Sequence, residues 1–268
     1  MGIKVAVAGK GGVGKTTVAG SLARVWARNS VKVLAVDADP SAHLHSILEI
    51  PRSSMPSPIS SELDLIEERT GARPGTSTGP FFKLNPRVED IPDKYSVVGA
   101  DGVKLLVLGT IRAAGGGCFC PENSLLRSLL EHIVLESDEA VVVDMEAGLE
   151  QFGRSTCRGV DLMMAVVEPG SRSVETASRV VQLAKEMGVS RTAVVANRVR
   201  SQAERDAVSE LLGNHGLELF DSLPASDAVS RADLENKSVF AVKGSDDWVS
   251  SVGRLSQKIS KILEQPSR

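Results

Sequence analysis

The sequence predicts a single α/β domain with a mostly parallel central sheet and helices on both faces. Three observations carry this. Short apolar runs recur at residues 31–36, 103–108, 140–143, 162–167 and 193–196, most of them separated by helix-length amphipathic segments. That alternation builds parallel sheets whose two faces are both covered. The length of 268 residues, at 42% hydrophobic content, suffices for one full core over residues 1–268, and no segment repeats. The chain also opens on an apolar run, a glycine-rich turn and a helical pattern in immediate succession.

Each element follows from its residues. Ile3-Lys4-Val5-Ala6-Val7-Ala8 is short and mostly apolar, which reads as a buried strand, and Val18, Leu22, Val25 and Trp26 then recur at helical spacing. The strand at 31–36 runs into Asp37-Ala38-Asp39-Pro40. Residues 51–92 break the rhythm, holding seven of the twelve prolines and several serines. They read as an excursion around one short helix near 62–69, mobile without partners. Residues 95–107, with Asp101-Gly102 in the middle, read as a hairpin feeding the sheet. The run at 140–143 ends on Asp144, and the one at 193–196 ends on Asn197-Arg198. Near the C-terminus Trp248, Val249, Val252, Leu255, Ile259 and Ile262 form an apolar stripe at helical spacing, with Lys258 and Lys261 alongside.

The turn carries the chemistry. It reads Gly9-Lys10-Gly11-Gly12-Val13-Gly14-Lys15-Thr16-Thr17, between a strand and a helix. Gly11, Gly12 and Gly14 let the backbone N–H groups converge, and the helix N-terminus adds partial positive charge where the β- and γ-phosphates of a nucleotide sit. Lys15 is placed to reach those phosphates and the Thr16 hydroxyl to ligate Mg²⁺. The fold class thereby narrows to a P-loop NTPase, with ATP and Mg²⁺ as its ligands.

Lys10 narrows it again. Lys-Gly-Gly-x-Gly-Lys-Thr-Thr resembles the deviant P-loop of the dimeric ATPases that include nitrogenase iron protein and the partitioning and division-site ATPases. That resemblance implies a homodimer in which Lys10 crosses to the partner's nucleotide, acting on charge that develops in phosphoryl transfer. It further implies that Asp39 orients the attacking water and that Asp37 faces the Mg²⁺ shell. Val141-Val142-Val143-Asp144 resembles a Walker B strand end, with Asp144 on the Mg²⁺ side and residues 145–148 as the second switch. Asn197 would read the adenine edge, and Pro224, within Leu223-Pro224-Ala225-Ser226-Asp227, would belong to the loop that closes over the base. The catalytic set expected is Lys10, Lys15 and Asp39.

Two of the three cysteines stand in Cys118-Phe119-Cys120-Pro121-Glu122-Asn123. In an extended segment residues i and i+2 point the same way, so both sulfurs can face one spot. A soft metal wants four ligands and one such pair supplies two, which a two-fold axis would complete into a Cys₄ site for Zn²⁺ or Ni²⁺ at the dimer interface. A pair of free thiols, or a redox pair, is the alternative. Cys157 reads as a small buried residue. Together with the P-loop, Asp37-Ala38-Asp39-Pro40, Leu125-Leu126-Arg127, Asp144-Met145-Glu146-Ala147-Gly148, Glu168-Pro169 and Ala196-Asn197-Arg198, this pattern is similar to the CooC-type ATPases. Those are nickel-insertion factors of carbon monoxide dehydrogenase. The resemblance implies nickel delivery to a carbon monoxide dehydrogenase or acetyl-CoA synthase apoenzyme. Residues 145–148 hold no cysteine, which disfavours a [4Fe–4S] reductase.

A net charge of −3 and nine aromatic residues argue against a nucleic-acid surface. No apolar run approaches the length of a membrane span and no leader pattern precedes the first strand, so the protein is expected to be cytoplasmic. A positioning ATPase bound to membrane or DNA is the rival reading, its support being the C-terminal stripe, which could lie in a membrane interface, although such a stripe more often packs a terminal helix onto its own domain.

Overall fold

The computed structural model describes residues 2–39, 41–75, 82–109, 121–133, 138–146 and 159–265. Along these residues the order is β1 (Ile3–Ala8), α1 (Lys15–Arg28), β2 (Lys32–Ala38), α2 (Leu44–Ile47), α3 (Leu63–Thr70), α4 (Ile91–Tyr95), β3 (Val97–Val98), β4 (Lys104–Val107), α5 (Pro121–His132) and β5 (Glu139–Met145). It continues with β6 (Leu162–Val167), α6 (Ser171–Glu186), β7 (Thr192–Val199), α7 (Gln202–Gly213), β8 (Leu219–Pro224), α8 (Asp227–Leu234) and α9 (Asp246–Glu264). The strands form one sheet in the order β3-β4-β2-β5-β1-β6-β7-β8. All neighbours are parallel except β3, which pairs antiparallel with β4.

Strand β1 lies between β5 and β6, so the chain leaves it toward one half of the sheet and later enters the other half. Ligands bind at such a switch point, outside the carboxyl ends of the strands. Alternate residues of the buried strands point to opposite faces. Val5, Val7, Val33, Ala35 and Val142 pack against α1 and α9, while Ala6, Ala8, Leu34, Val36, Val141 and Val143 pack against α3, α5, α6 and α7. Both faces are therefore covered, as the alternation of elements predicts.

The structure departs from expectation in two places, and for the C-terminal stripe it decides between the two readings. Strand β8 gave no sequence signal: Leu219-Phe220-Asp221-Ser222-Leu223-Pro224 mixes polar and apolar residues because it is a half-buried edge strand ending in proline. The excursion at 51–92 is packed rather than loose over its described parts. Ile59, Leu65, Ile66, Val88 and Ile91 are all buried against the α5 side of the sheet, and the Arg69 guanidinium forks onto the Asp90 carboxylate at 2.9 and 2.8 Å. The C-terminal stripe does not offer itself to a membrane. Trp248, Val252, Leu255 and Ile259 are at most 1% exposed, since α9 lays that face on α1 and the sheet. No helix among the described residues is long and apolar enough to cross a membrane.

Two buried cations fasten the layers. Lys4, the second residue of the otherwise apolar β1, donates from Nζ to the Leu130 carbonyl at 3.0 Å, and burial holds its pKa below the usual value against the pull of Asp161 and Glu131. Arg24, 3% exposed on α1, donates to Asp101, Glu49, Ser238 and the Ile47 carbonyl over 2.6–3.1 Å. Its guanidinium also stacks on Phe240, 4.3 Å from the ring centroid. Three segments distant in sequence, at 47–49, 101 and 238–240, are joined there to the helix that follows the phosphate loop.

Candidate nucleotide site

The phosphate loop crosses the carboxyl ends of β1, β6 and β7, and its glycines answer to their neighbours. Gly9 has φ 153°, and a Cβ there would stand 2.3 Å from the Val166 carbonyl oxygen of β6. Gly14 has φ 90°, and its Cβ would stand 2.5 Å from the Asn197 amide nitrogen. Neither position admits a side chain. Gly14 is also the N-cap of α1, with no side-chain cap and no acidic residue in the first turn. The first N–H groups of α1 therefore lack an internal partner, and they carry the positive end of the helix dipole. Those free donors and that dipole suit an anion, as the motif requires.

The remaining loop residues fall into place around it. Lys15 opens α1 and is 7% exposed, while Thr16 and Thr17 follow half-buried in the first turn. Gly11 and Gly12 form the exposed tip and Val13 is buried. Lys10 is half-buried, and its carbonyl accepts the Val13 N–H at 3.4 Å.

Three carboxylates face the loop. Asp37 and Asp144 are register partners on the neighbouring strands β2 and β5, and both are fully buried. Asp37 accepts the Leu44 N–H at 2.9 Å and the Asp39 N–H at 3.2 Å, so it also shapes the turn after β2. Burial pushes its pKa up to about 6 despite those two bonds. Asp144 has no such help. Both of its oxygens are buried without a hydrogen-bond partner, and burial followed by the Asp37 charge pushes its pKa up to about 8. The Thr16 hydroxyl and the Lys15 charge pull the other way, although the hydroxyl makes no hydrogen bond of good geometry with the carboxylate.

An orphaned buried carboxylate beside a second carboxylate and a hydroxyl fits a hard divalent cation, which takes oxygen ligands and supplies the missing positive charge. Thr16, Asp37 and Asp144 would hold Mg²⁺ here, and Mg²⁺ neutralises charge on nucleotide phosphates. Asp39 differs from the pair. Burial would raise its pKa, but the hydroxyl and N–H of Ser41 both donate to its Oδ1, and with the charges of Lys15 and His43 they hold it below the usual value. It is thus an ionised acceptor at the edge of the phosphate site.

Asn197 ends the buried part of β7 and donates from Nδ2 to the Val13 carbonyl at 2.8 Å. The sequence suggests a base reader at this position, and the contact that the structure shows is with the loop. Arg198 beside it reaches Glu168 at 3.5 Å. Pro224 ends β8, and the next N–H, of Ala225, bonds to the Val199 carbonyl at 2.9 Å. The structure thus gathers residues 9–17, 37, 39, 144 and 197 at one sheet edge. Cys118, Cys120 and Cys157 lie outside the described residues, as do Pro40 and residues 147–148. Among the described residues no three His, Cys, Asp or Glu side chains are placed to hold one metal ion between them, so a cation here would rest on two carboxylates and the Thr16 hydroxyl.

Comparison with known proteins agrees with this geometry. Residues 4–239 match the CobQ/CobB/MinD/ParA nucleotide binding domain. The carbon monoxide dehydrogenase accessory protein CooC of Rhodospirillum rubrum is 44% identical over 240 residues, covering 89% of each chain. An uncharacterized ATP-binding protein of Methanocaldococcus jannaschii is 42% identical, covering 88% of this chain and 91% of its own. The fold matches the cell division ATPase MinD of Pyrococcus furiosus with a TM-score of 0.68 at 19% identity, over 98% of this chain and all of that one. It matches a putative plasmid partition protein of Borrelia burgdorferi with a TM-score of 0.71 at 16% identity, again over 98% of this chain and all of that one. With a phosphate loop on β1, carboxylates at the ends of β2 and β5, and these relatives, the chain is a P-loop ATPase and belongs to the CobQ/CobB/MinD/ParA nucleotide-binding family.

Proposed function

We infer that this ATPase is a cytoplasmic nickel-insertion factor that works as a homodimer, matures a carbon monoxide dehydrogenase or acetyl-CoA synthase apoenzyme, and carries Ni²⁺ or Zn²⁺ between Cys118 and Cys120 of its two protomers. The observation that carries the reading is the 44% identity to the carbon monoxide dehydrogenase accessory protein over 89% of both chains. The Cys-x-Cys pair and Lys10 supply its chemistry. Two thiolates per protomer make half of a tetrahedral site, and a two-fold axis makes the whole. ATP favours the closed dimer because its γ-phosphate meets Lys10 from across the interface, and hydrolysis removes that preference.

Metal stoichiometry tests the reading. Equilibrium dialysis should saturate near one Zn²⁺ or Ni²⁺ per two chains. Cys118→Ala or Cys120→Ala should abolish that binding while ATP binding persists, and affinity should fall on acidification as the thiolates take up protons. One tightly held ion per monomer, indifferent to replacing both cysteines, removes nickel delivery and leaves a dimeric ATPase of another client.

Lys10 and Lys15 should separate kinetically. Lys15→Ala should lose productive nucleotide binding, whereas Lys10→Ala should bind ATP and lose turnover, by about a thousandfold if it acts as arginine fingers do. Equal turnover in Lys10→Ala and wild type would count against the trans assignment.

A further inference from the structure

Asn197 is 2% exposed and sits in an irregularity of the sheet. The β7–β8 register shifts between Ala196 and Val199, and Arg198 takes φ 60°, a left-handed backbone that a residue with a side chain adopts only under constraint. A bulge beside a site re-aims a side chain. Here the Arg198 N–H donates to Asn197 Oδ1 at 2.9 Å, and Nδ2 donates to the Val13 carbonyl at 2.8 Å. Those partners fix the amide orientation, because a backbone N–H only donates and a carbonyl only accepts. Gly14 completes the fit, since a Cβ there would stand 2.5 Å from Nδ2.

The bond has a consequence for the loop. The Val13 carbonyl and the Gly14 N–H belong to one planar peptide and point in opposite directions. With the carbonyl held back against β7, the N–H is turned the other way, toward the side on which a phosphate nest needs its donors. A released carbonyl could rotate and bring partial negative charge against the phosphates.

We propose that Asn197 is a positioning residue of the phosphate loop: its amide anchors the Val13 carbonyl and sets the donor face of the loop for any polyphosphate, with or without a base. A contact with adenine, through the second amide hydrogen, would be additional to this role. The proposal rests on the phosphate-loop assignment and is independent of metal cargo and client.

Inorganic tripolyphosphate, which has no base, separates the two roles. Calorimetric titration with Mg²⁺ tripolyphosphate and with Mg²⁺ ATP should be run on wild type, Asn197→Ala and Asn197→Asp. Asn197→Asp keeps the shape and the acceptor for Arg198, but it turns an acceptor toward the Val13 carbonyl. Both variants should bind tripolyphosphate roughly tenfold more weakly, and ATP more weakly by at least that factor, beyond what any drop in ligand-free melting temperature accounts for. Weakened ATP binding with intact tripolyphosphate binding overturns the proposal and leaves Asn197 a base reader alone. So does a loss that merely follows a lowered ligand-free melting temperature in both variants. If wild type binds neither ligand, the phosphate-loop assignment itself fails and the proposal falls with it.

Discussion

Asp144→Asn should lower Mg²⁺-dependent ATP hydrolysis by at least about a hundredfold while the chain stays folded. The substitution preserves shape and removes the charge that a cation would meet. Both Asp144 oxygens are buried and bare, so this carboxylate gains more from a cation than Asp37, which already accepts two backbone N–H groups. A variant that hydrolyses ATP at the wild-type rate would remove Asp144 from the metal site.

The same carboxylates set a pH dependence with a defined sign. Asp37 at about 6 and Asp144 at about 8 both stand above the usual 3.8. Between those limits the folded chain therefore binds more protons than the unfolded one. Stability from this pair is fully present below about pH 3.8 and is lost as pH rises through 6 and then 8. In chelator, wild type should melt at a lower temperature at pH 8 than at pH 6. Asp144→Asn should flatten that slope and melt higher than wild type at pH 8. Thermal unfolding at the two pH values decides it, and parallel slopes would refute the assignment.

Trp248→Ala should cost about 3–5 kcal/mol and lower the melting temperature by on the order of 10 °C. The side chain is 1% exposed between α9 and α1, and its Nε1 donates to Ser21 Oγ at 3.4 Å. Removing it leaves a cavity beneath the helix that starts at the phosphate loop, so nucleotide affinity should fall with stability. Leu234, 86% exposed on α8, gives the contrasting case: Leu234→Ala should change stability by less than about 0.5 kcal/mol.

What the sequence disclosed was local. A strand, a glycine turn and a helix lie within residues 3–28, and the loop between them is readable because its chemistry depends on adjacent residues. Asp37 and Asp144 were legible for the same reason, each closing an apolar run. Contacts made across the chain left weaker traces. Arg24 stands in Leu22-Ala23-Arg24-Val25-Trp26 as a charge inside an apolar stretch, yet nothing nearby names Asp101, Glu49 and Ser238 as its partners. The amphipathic stripe of α9 declared an apolar face without declaring what covers it. Asn197 was found for its place after a strand, whereas its bond to Val13 spans 184 residues.

The position of β1 bears on how the protein is made. Its residues pair with 140–144 on one side and 162–165 on the other, and α1 is covered by a helix that begins only at Asp246. A ribosome that has finished β1, α1 and β2 has produced the whole phosphate loop but neither neighbour of its strand nor the cover of its helix. Such non-local pairing slows folding and leaves apolar surface open to other nascent chains meanwhile. Strand β1 is thus enclosed only once residues 140–165 have been made, and its helix is covered only once α9 has followed, so the loop exists as sequence well before it is held as a site.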